Sequence, residues 1–141
     1  TPMKTRGVVA MAGSFGYELN LSAISEEDKN CVREQINAYH KYWHLIHDGA
    51  YYRLTNPFED REAAAWLFVS EDKGEALLNT VALETHGNTL YVRLEGLEPG
   101  AMYRDEDTGT EYPGAGLMSA GIPIPSGTGE YQAFQVHLRR I

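Results

Sequence analysis

Apolar positions keep three different rhythms along the chain. Residues 7–12, Gly-Val-Val-Ala-Met-Ala, form a short unbroken apolar run. Such a run predicts a strand buried on both faces, as in a parallel sheet, since a strand with one wet face would alternate. Gly13-Ser14-Phe15-Gly16 then interrupts it. Ser25-Glu26-Glu27-Asp28 opens a helix: the Ser hydroxyl can accept from an orphan N–H, and the acids face the positive end of the dipole. Helical periodicity runs to Asp48, with Gly49 as the stop. At ~100° per residue, Val32, Ile36, Tyr39, Trp43 and Ile46 make one apolar stripe, and Cys31, Ala38, Tyr42 and Leu45 a second beside it. A helix with so wide an apolar surface is expected to touch two partners. Yet one strand cannot form a sheet, so this opening reads as part of a larger βα body.

Beyond Gly49 the rhythm shortens to strands separated by turns. Strands are expected over residues 50–54, 64–69 and 76–84, followed by a turn at His86-Gly87-Asn88. Leu90, Val92 and Leu94 alternate with Tyr91, Arg93 and Glu95, as do Phe134, Val136 and Leu138 with Gln135, His137 and Arg139. Residues 102–104, 111–112 and 117–118 are weaker strand positions around Gly-rich turns. Short strands at this spacing predict an antiparallel β-sandwich over residues 49–141, with residues 1–48 a separate βα portion.

The bulk numbers narrow the partners. The 141 residues suit one ordinary domain, or a small one with an appendage, and 43% hydrophobic residues disfavour disorder. A net charge of −8, from 20 acidic and 12 basic side chains, disfavours nucleic acid and anionic membrane. Cys31 is the one cysteine, so no intrachain disulfide and no Cys-based zinc site is expected. No apolar run approaches the roughly 18 residues of a membrane helix, and no secretory leader is read. A cytoplasmic setting is expected.

Candidate chemistry is thin. His40, His44 and His47 share one helical sector but lack a carboxylate to orient them, so a solvated face is preferred to a metal site. The segment Asp105-Glu106-Asp107-Thr108-Gly109 opens like a calcium loop. Its twelfth position is Gly116, which has no ligand to offer, and a hairpin turn is the better reading. Glu18, Asp48, Glu59 and Asp60 sit where caps and turns use acids, and Cys31 reads as a buried, inert thiol. Nucleophile elbows, phosphate loops and dinucleotide fingerprints are absent from the sequence.

The wording of the chain carries more. "TPMKTRGVVAMAGSFGYELNL", "SEEDKNCVREQINAYHKYWHLIHDGAYYRLTNPFEDREAAAWLFVSEDKGEALL", "LYVRLEGLEPGAMYR" and "YPGAGLMSAGIPIP" resemble the C-terminal end of family-36 α-galactosidases, the melibiases. The most specific parts are Phe15-Gly16-Tyr17-Glu18-Leu19, Tyr52-Arg53-Leu54 with Pro57-Phe58, and Leu117-Met118-Ser119-Ala120-Gly121. One departure is Ala115-Gly116, where the family commonly carries acidic residues after Tyr-x-Gly.

The resemblance implies a multidomain enzyme with an N-terminal β-sandwich, a central (β/α)8 barrel and a C-terminal β-sandwich. Such enzymes remove terminal α-galactose from melibiose and raffinose-type sugars with retention. They use two barrel aspartates whose motifs have no counterpart here, so no catalytic residue, metal or cofactor is expected in this chain. Residues 7–12 would be the last barrel strand, residues 13–20 its loop, and the capped helix the last barrel helix. Gly13 and Ser14 would then approach the sugar pocket, because barrel sites form at strand C-terminal ends. The expected partner is the rest of the α-galactosidase chain, with substrate bound only by the intact enzyme, and a homo-oligomer is a further expectation. The rival reading is a carbohydrate-binding module that stacks sugars on Tyr51, Trp66, Tyr91, Tyr103 or Tyr112; for Trp66 a core position is the plainer alternative.

Overall fold

A computed structural model describes residues 1–56, 58–84, 89–124 and 129–141. Residues 7–12 are not a strand. They fall mainly in helix α1, Met3–Ala10, which ends at a turn beginning with Met11. Short apolar runs do not separate helix from strand by period. Among the described residues no strand pairs with this stretch, whereas a helix satisfies its backbone internally. Thr5, Val8 and Met11 then fall at helical spacing on one buried face. Thr5 Oγ1 donates to the Tyr131 carbonyl at 2.6 Å, fixing α1 beside the last strand.

Helix α2, Glu26–Asp48, begins as its sequence requires: the Ser25 side chain accepts from the Asp28 N–H at 3.0 Å. Gly49 ends it, as expected, but without the left-handed conformation common at helix C-termini. Its φ of −76° and ψ of 157° are open to any residue. A Cβ there would collide with the Leu45 carbonyl and lie 3.0 Å from the Val69 carbonyl, so the glycine serves the close passage of α2 into the sheet.

Among the described residues, eight strands follow: β1 Ala50–Arg53, β2 Ala63–Val69, β3 Glu75–Ala82, β4 Leu90–Val92, β5 Met102–Asp105, β6 Glu111–Pro113, β7 Ile122–Ile124 and β8 Ala133–Arg140. They make a six-stranded antiparallel sheet in the order β1-β2-β3-β8-β5-β6, and a two-stranded sheet of β4 and β7. In the middle of the large sheet, Leu67 pairs with Leu78 and Leu78 with Val136. One face carries Leu67, Val69, Leu78 and Leu138, packed with Val92, Leu94, Ile122 and Ile124 from the small-sheet side. The opposite face carries Trp66, Phe68, Leu77 and Val81, covered by Tyr39, Tyr42, Leu45 and Ile46 of α2 and Val8 of α1. The core is therefore two layers, one on each side of a shared sheet.

Residues 117–118, expected as strand, lie in the short helix α3, Gly114–Ser119. Two adjacent apolar residues carry no period of their own. What decides is Gly114, which packs so closely on the Glu98 carbonyl that a side chain would not fit. Strand β7 leaves no sign in the pattern because Pro123 at its centre lacks an N–H, which is tolerable only in an edge position such as this one. The expected turn at His86-Gly87-Asn88 lies outside the described residues.

Candidate functional site

The most unusual local structure links α1 to α2. Over residues 15–20 burial alternates residue by residue: Phe15, Tyr17 and Leu19 are half-buried, while Gly16, Glu18 and Asn20 are exposed. That is the two-residue period of an extended strand. Yet residues 15–20 belong to no ladder, and among the described residues the backbone N–H and C=O groups of residues 14–19 make no hydrogen bond. The segment ends at Asn20, whose carbonyl accepts from the Ala23 N–H and whose side chain accepts from the Ser22 N–H.

Its inner side is held by side chains. Gln35, buried in α2, donates through Nε2 to the Met3 carbonyl at 2.9 Å and accepts through Oε1 from the Tyr17 hydroxyl. Gly7 makes this possible, since a Cβ at that position would occupy the space of the Gln35 amide. Burial pushes the Tyr17 phenol up to about 12, with the nearby Cys31 adding to the effect. Burial likewise raises the Cys31 thiol, reinforced by the carboxylates of Glu34, Asp28 and Glu27 and opposed by Lys4. Cys31 is half-buried rather than buried as expected.

Beside the segment runs a ladder of rings. Phe15 meets Tyr39 at 5.1 Å, Tyr39 meets Trp43 edge-on at 5.5 Å, and Trp43 stacks on His47 at 3.6 Å. The Tyr39 hydroxyl lies 3.2 Å from the Gly13 carbonyl and 2.8 Å from His47 Nε2. Trp43 is nevertheless 49% exposed, and Ile36, Val9 and Leu21 are exposed with it. Part of the α2 stripe thus lacks the second partner its width called for. Gly13 and Ser14 are exposed in the turn that leads into the segment, and a Cβ on Gly13 would meet nothing.

The three histidines of α2 do not converge. His47 joins the ring ladder, whereas His44 Nε2 points to Glu75 Oε2 at 3.5 Å. The same carboxylate oxygen lies 2.8 Å from Nε2 of the buried His137 and 3.8 Å from Arg139, tying α2, β3 and β8 together. Burial raises the Glu75 carboxyl, but the His137 hydrogen bond and the charges of Arg139, His137 and His44 outweigh it and hold the group below its ordinary range. Asp105 braces the β5–β6 hairpin, accepting from the Asp107 N–H at 2.9 Å and the Thr108 hydroxyl at 2.9 Å. Among the described residues no group of three His, Cys, Asp or Glu side chains is arranged to hold a metal ion.

Of the aromatics named for sugar stacking, Trp66 and Tyr103 are buried and Tyr112 is half-buried. Tyr51 and Tyr91 remain exposed, on different sheets. The clamp at Gln35 escapes a sequence reading because a polar residue between apolar stripes looks solvated. The one available signal is Gly7 inside an apolar run, a mark of close approach.

Comparison with known proteins gives a consistent picture. Residues 63–138 match the model for the glycosyl hydrolase family 36 C-terminal domain, and residues 1–49 match that for melibiase. The chain is 53% identical over 137 residues to the bifunctional alpha-galactosidase/sucrose kinase AgaSK of Mediterraneibacter gnavus, covering 96% of this chain and 14% of that protein. It is 38% identical over 141 residues to alpha-galactosidase AgaA of Geobacillus stearothermophilus, covering 99% of this chain and 19% of that protein. Among solved structures, the galactosidase domain of AgaSK superposes with a TM-score of 0.96 at 51% identity, over 100% of this chain and 20% of that one. A variant of AgaA in complex with raffinose superposes with a TM-score of 0.93 at 36% identity, again over 100% and 20%. The chain therefore spans a fifth or less of each of these relatives.

Proposed function

The chain belongs to glycosyl hydrolase family 36 and corresponds to the C-terminal region of its α-galactosidases, and from that premise we propose that it is a non-catalytic, structural portion of a retaining α-galactosidase acting on melibiose and raffinose-type sugars. The observation that carries the reading is the unpaired backbone of residues 14–19 beside exposed Trp43 and Ile36. Unpaired amides and apolar side chains side by side are an edge built to be covered. The rest of the enzyme chain is the partner we assign to it.

Under this reading the segment over residues 15–20, rather than residues 7–12, is the strand that joins the catalytic barrel. Phe15, Tyr17 and Leu19 face the helices, which leaves Gly16, Glu18 and Asn20 facing the barrel interior. Barrel sites form at the C-terminal ends of strands. The substrate-proximal role expected of Gly13 and Ser14 depended on the earlier strand placement. With the strand shifted, the sugar-facing end lies at Asn20, and Gly13 and Ser14 stand at the opposite end. The two carboxyl groups of a retaining mechanism, about 5–5.5 Å apart, would come from the remainder of the enzyme. A cytoplasmic setting, in which Cys31 stays reduced, belongs to the same proposal. So does a subunit contact through Phe58, 93% exposed on a loop braced by Asn56 and Asp60.

Hydrolysis of an aryl α-galactoside tests the reading. The full-length enzyme should turn it over, and this chain, purified alone, should not. Turnover by the chain alone would overturn the non-catalytic assignment and direct attention to Glu59, Asp60 and Glu62.

A further inference from the structure

Away from the helical layer, the loop between β1 and β2 and the strand β4 enclose an open cleft of about 540 Å³. That volume falls within the usual range for a small-ligand site. Leu54, Leu90 and Val92 supply its apolar lining, and the ring of Tyr91 is 59% exposed beside them. Glu59, Arg61, Glu62 and Arg93 complete the cleft. Among the described residues, none of these four side chains takes part in a hydrogen bond or an ion pair. Guanidinium and carboxylate groups gathered in one cleft, yet not spent on each other, are free for a ligand.

We propose that this cleft is a secondary binding site for neutral galactosyl oligosaccharides, separate from the catalytic centre. Sugar hydroxyls both donate and accept. They can accept from the guanidinium N–H groups of Arg61 and Arg93 while donating to the carboxylates of Glu59 and Glu62. The apolar face of a sugar ring matches the exposed face of Tyr91, which has an apolar body and a polar tip. The mixture of charges argues against other ligands. An anion would meet the carboxylates of Glu59, Asp60 and Glu62, and an organic cation would meet the guanidinium groups of Arg61 and Arg93. No group of three metal-ligating side chains among the described residues is arranged to hold a metal ion. Only the choice of galactosyl sugars rests on the α-galactosidase reading; the cleft and its chemistry do not.

Calorimetry on the full-length enzyme provides the test. With its catalytic site saturated by 1-deoxygalactonojirimycin, the enzyme is titrated with raffinose. One further binding event per chain is expected, with a Kd on the order of millimolar, as suits an open cleft. Tyr91→Ala and Arg93→Ala should each weaken it at least about tenfold, and Tyr91→Phe should retain it, because the ring rather than the hydroxyl supplies the platform. Aryl α-galactoside hydrolysis should be unchanged in all three variants. Absence of the second event, or an event that persists unchanged in Tyr91→Ala and Arg93→Ala, overturns the site. If the full-length enzyme hydrolyses no α-galactoside, the functional reading fails independently, and the same titration without inhibitor still reports on the cleft.

Discussion

The large sheet and the helical layer meet across one core, yet they treat their own surfaces differently. In the sheet, β2, β3 and β8 each have partners on both sides, and Leu67, Leu77, Leu78 and Leu138 are fully buried between the layers on its two faces. Over α1, α2 and the segment between them, only the sheet-facing side closes. Trp43 and Ile36 look outward, and among the described residues the backbone groups of residues 14–19 have no protein partners. A sheet satisfies its polar backbone by ladder pairing and its apolar faces by packing, so it can be complete within one chain segment. A single extended segment can pack its apolar side, as Phe15 and Tyr17 do here, but it has no ladder of its own for its backbone. On the proposed reading the rest of the enzyme supplies one.

The sharpest way to break that contrast is amide hydrogen exchange. Residues 15–20 should exchange almost freely in this chain. In the full-length enzyme they should exchange on the order of 10³-fold more slowly, the protection given by pairing worth ~4 kcal/mol. Equal exchange in both would mean that the edge stays open and the barrel-strand assignment is wrong. Next in size, Leu78→Ala should destabilise this chain by about 2–5 kcal/mol in urea unfolding, because it empties the closed core. Trp43→Ser should cost less, about 1 kcal/mol, since it removes only the ring contacts with Tyr39 and His47 and empties no closed core. Comparable losses from the two would erase the distinction between a closed and an open surface.

The smallest effect concerns the joint between the two regions. Glu75 is held below its ordinary range in the fold, so its contribution is complete above the unfolded value of about 4.3 and disappears as pH falls through the folded value. The urea midpoint should therefore drop on acidification through that window, and drop less in Glu75→Gln. Matching pH profiles for the two would remove Glu75 as the tie between α2 and the sheet.

Several features were legible before any coordinates. The Ser25 cap, the span of α2 and the strands near residues 50–54, 64–69 and 76–84 appear close to where their patterns put them. These elements have long periods, local caps or runs of apolar and aromatic residues bounded by turns, and each carries its own signal. The run over residues 7–12 misled because an apolar run with no visible partner fits either a helix or a strand, and only the presence or absence of a ladder distinguishes them. Gly49 was placed correctly as a stop, while the close packing on Leu45 and Val69 that demands a glycine there came only from the structure.

The sequence by itself determined the antiparallel domain, its long capped helix and the resemblance to family 36, because periodicity, capping and motif wording are local properties. Tertiary structure alone decided that α1 is a helix, that Gln35 clamps it through Gly7, that Glu75 ties α2 to β3 and β8, and that residues 14–19 find no backbone partner among the described residues. Each of these depends on which groups meet across long stretches of chain. Free energy of that kind belongs to pairs of distant residues, and no single residue carries it in its own position.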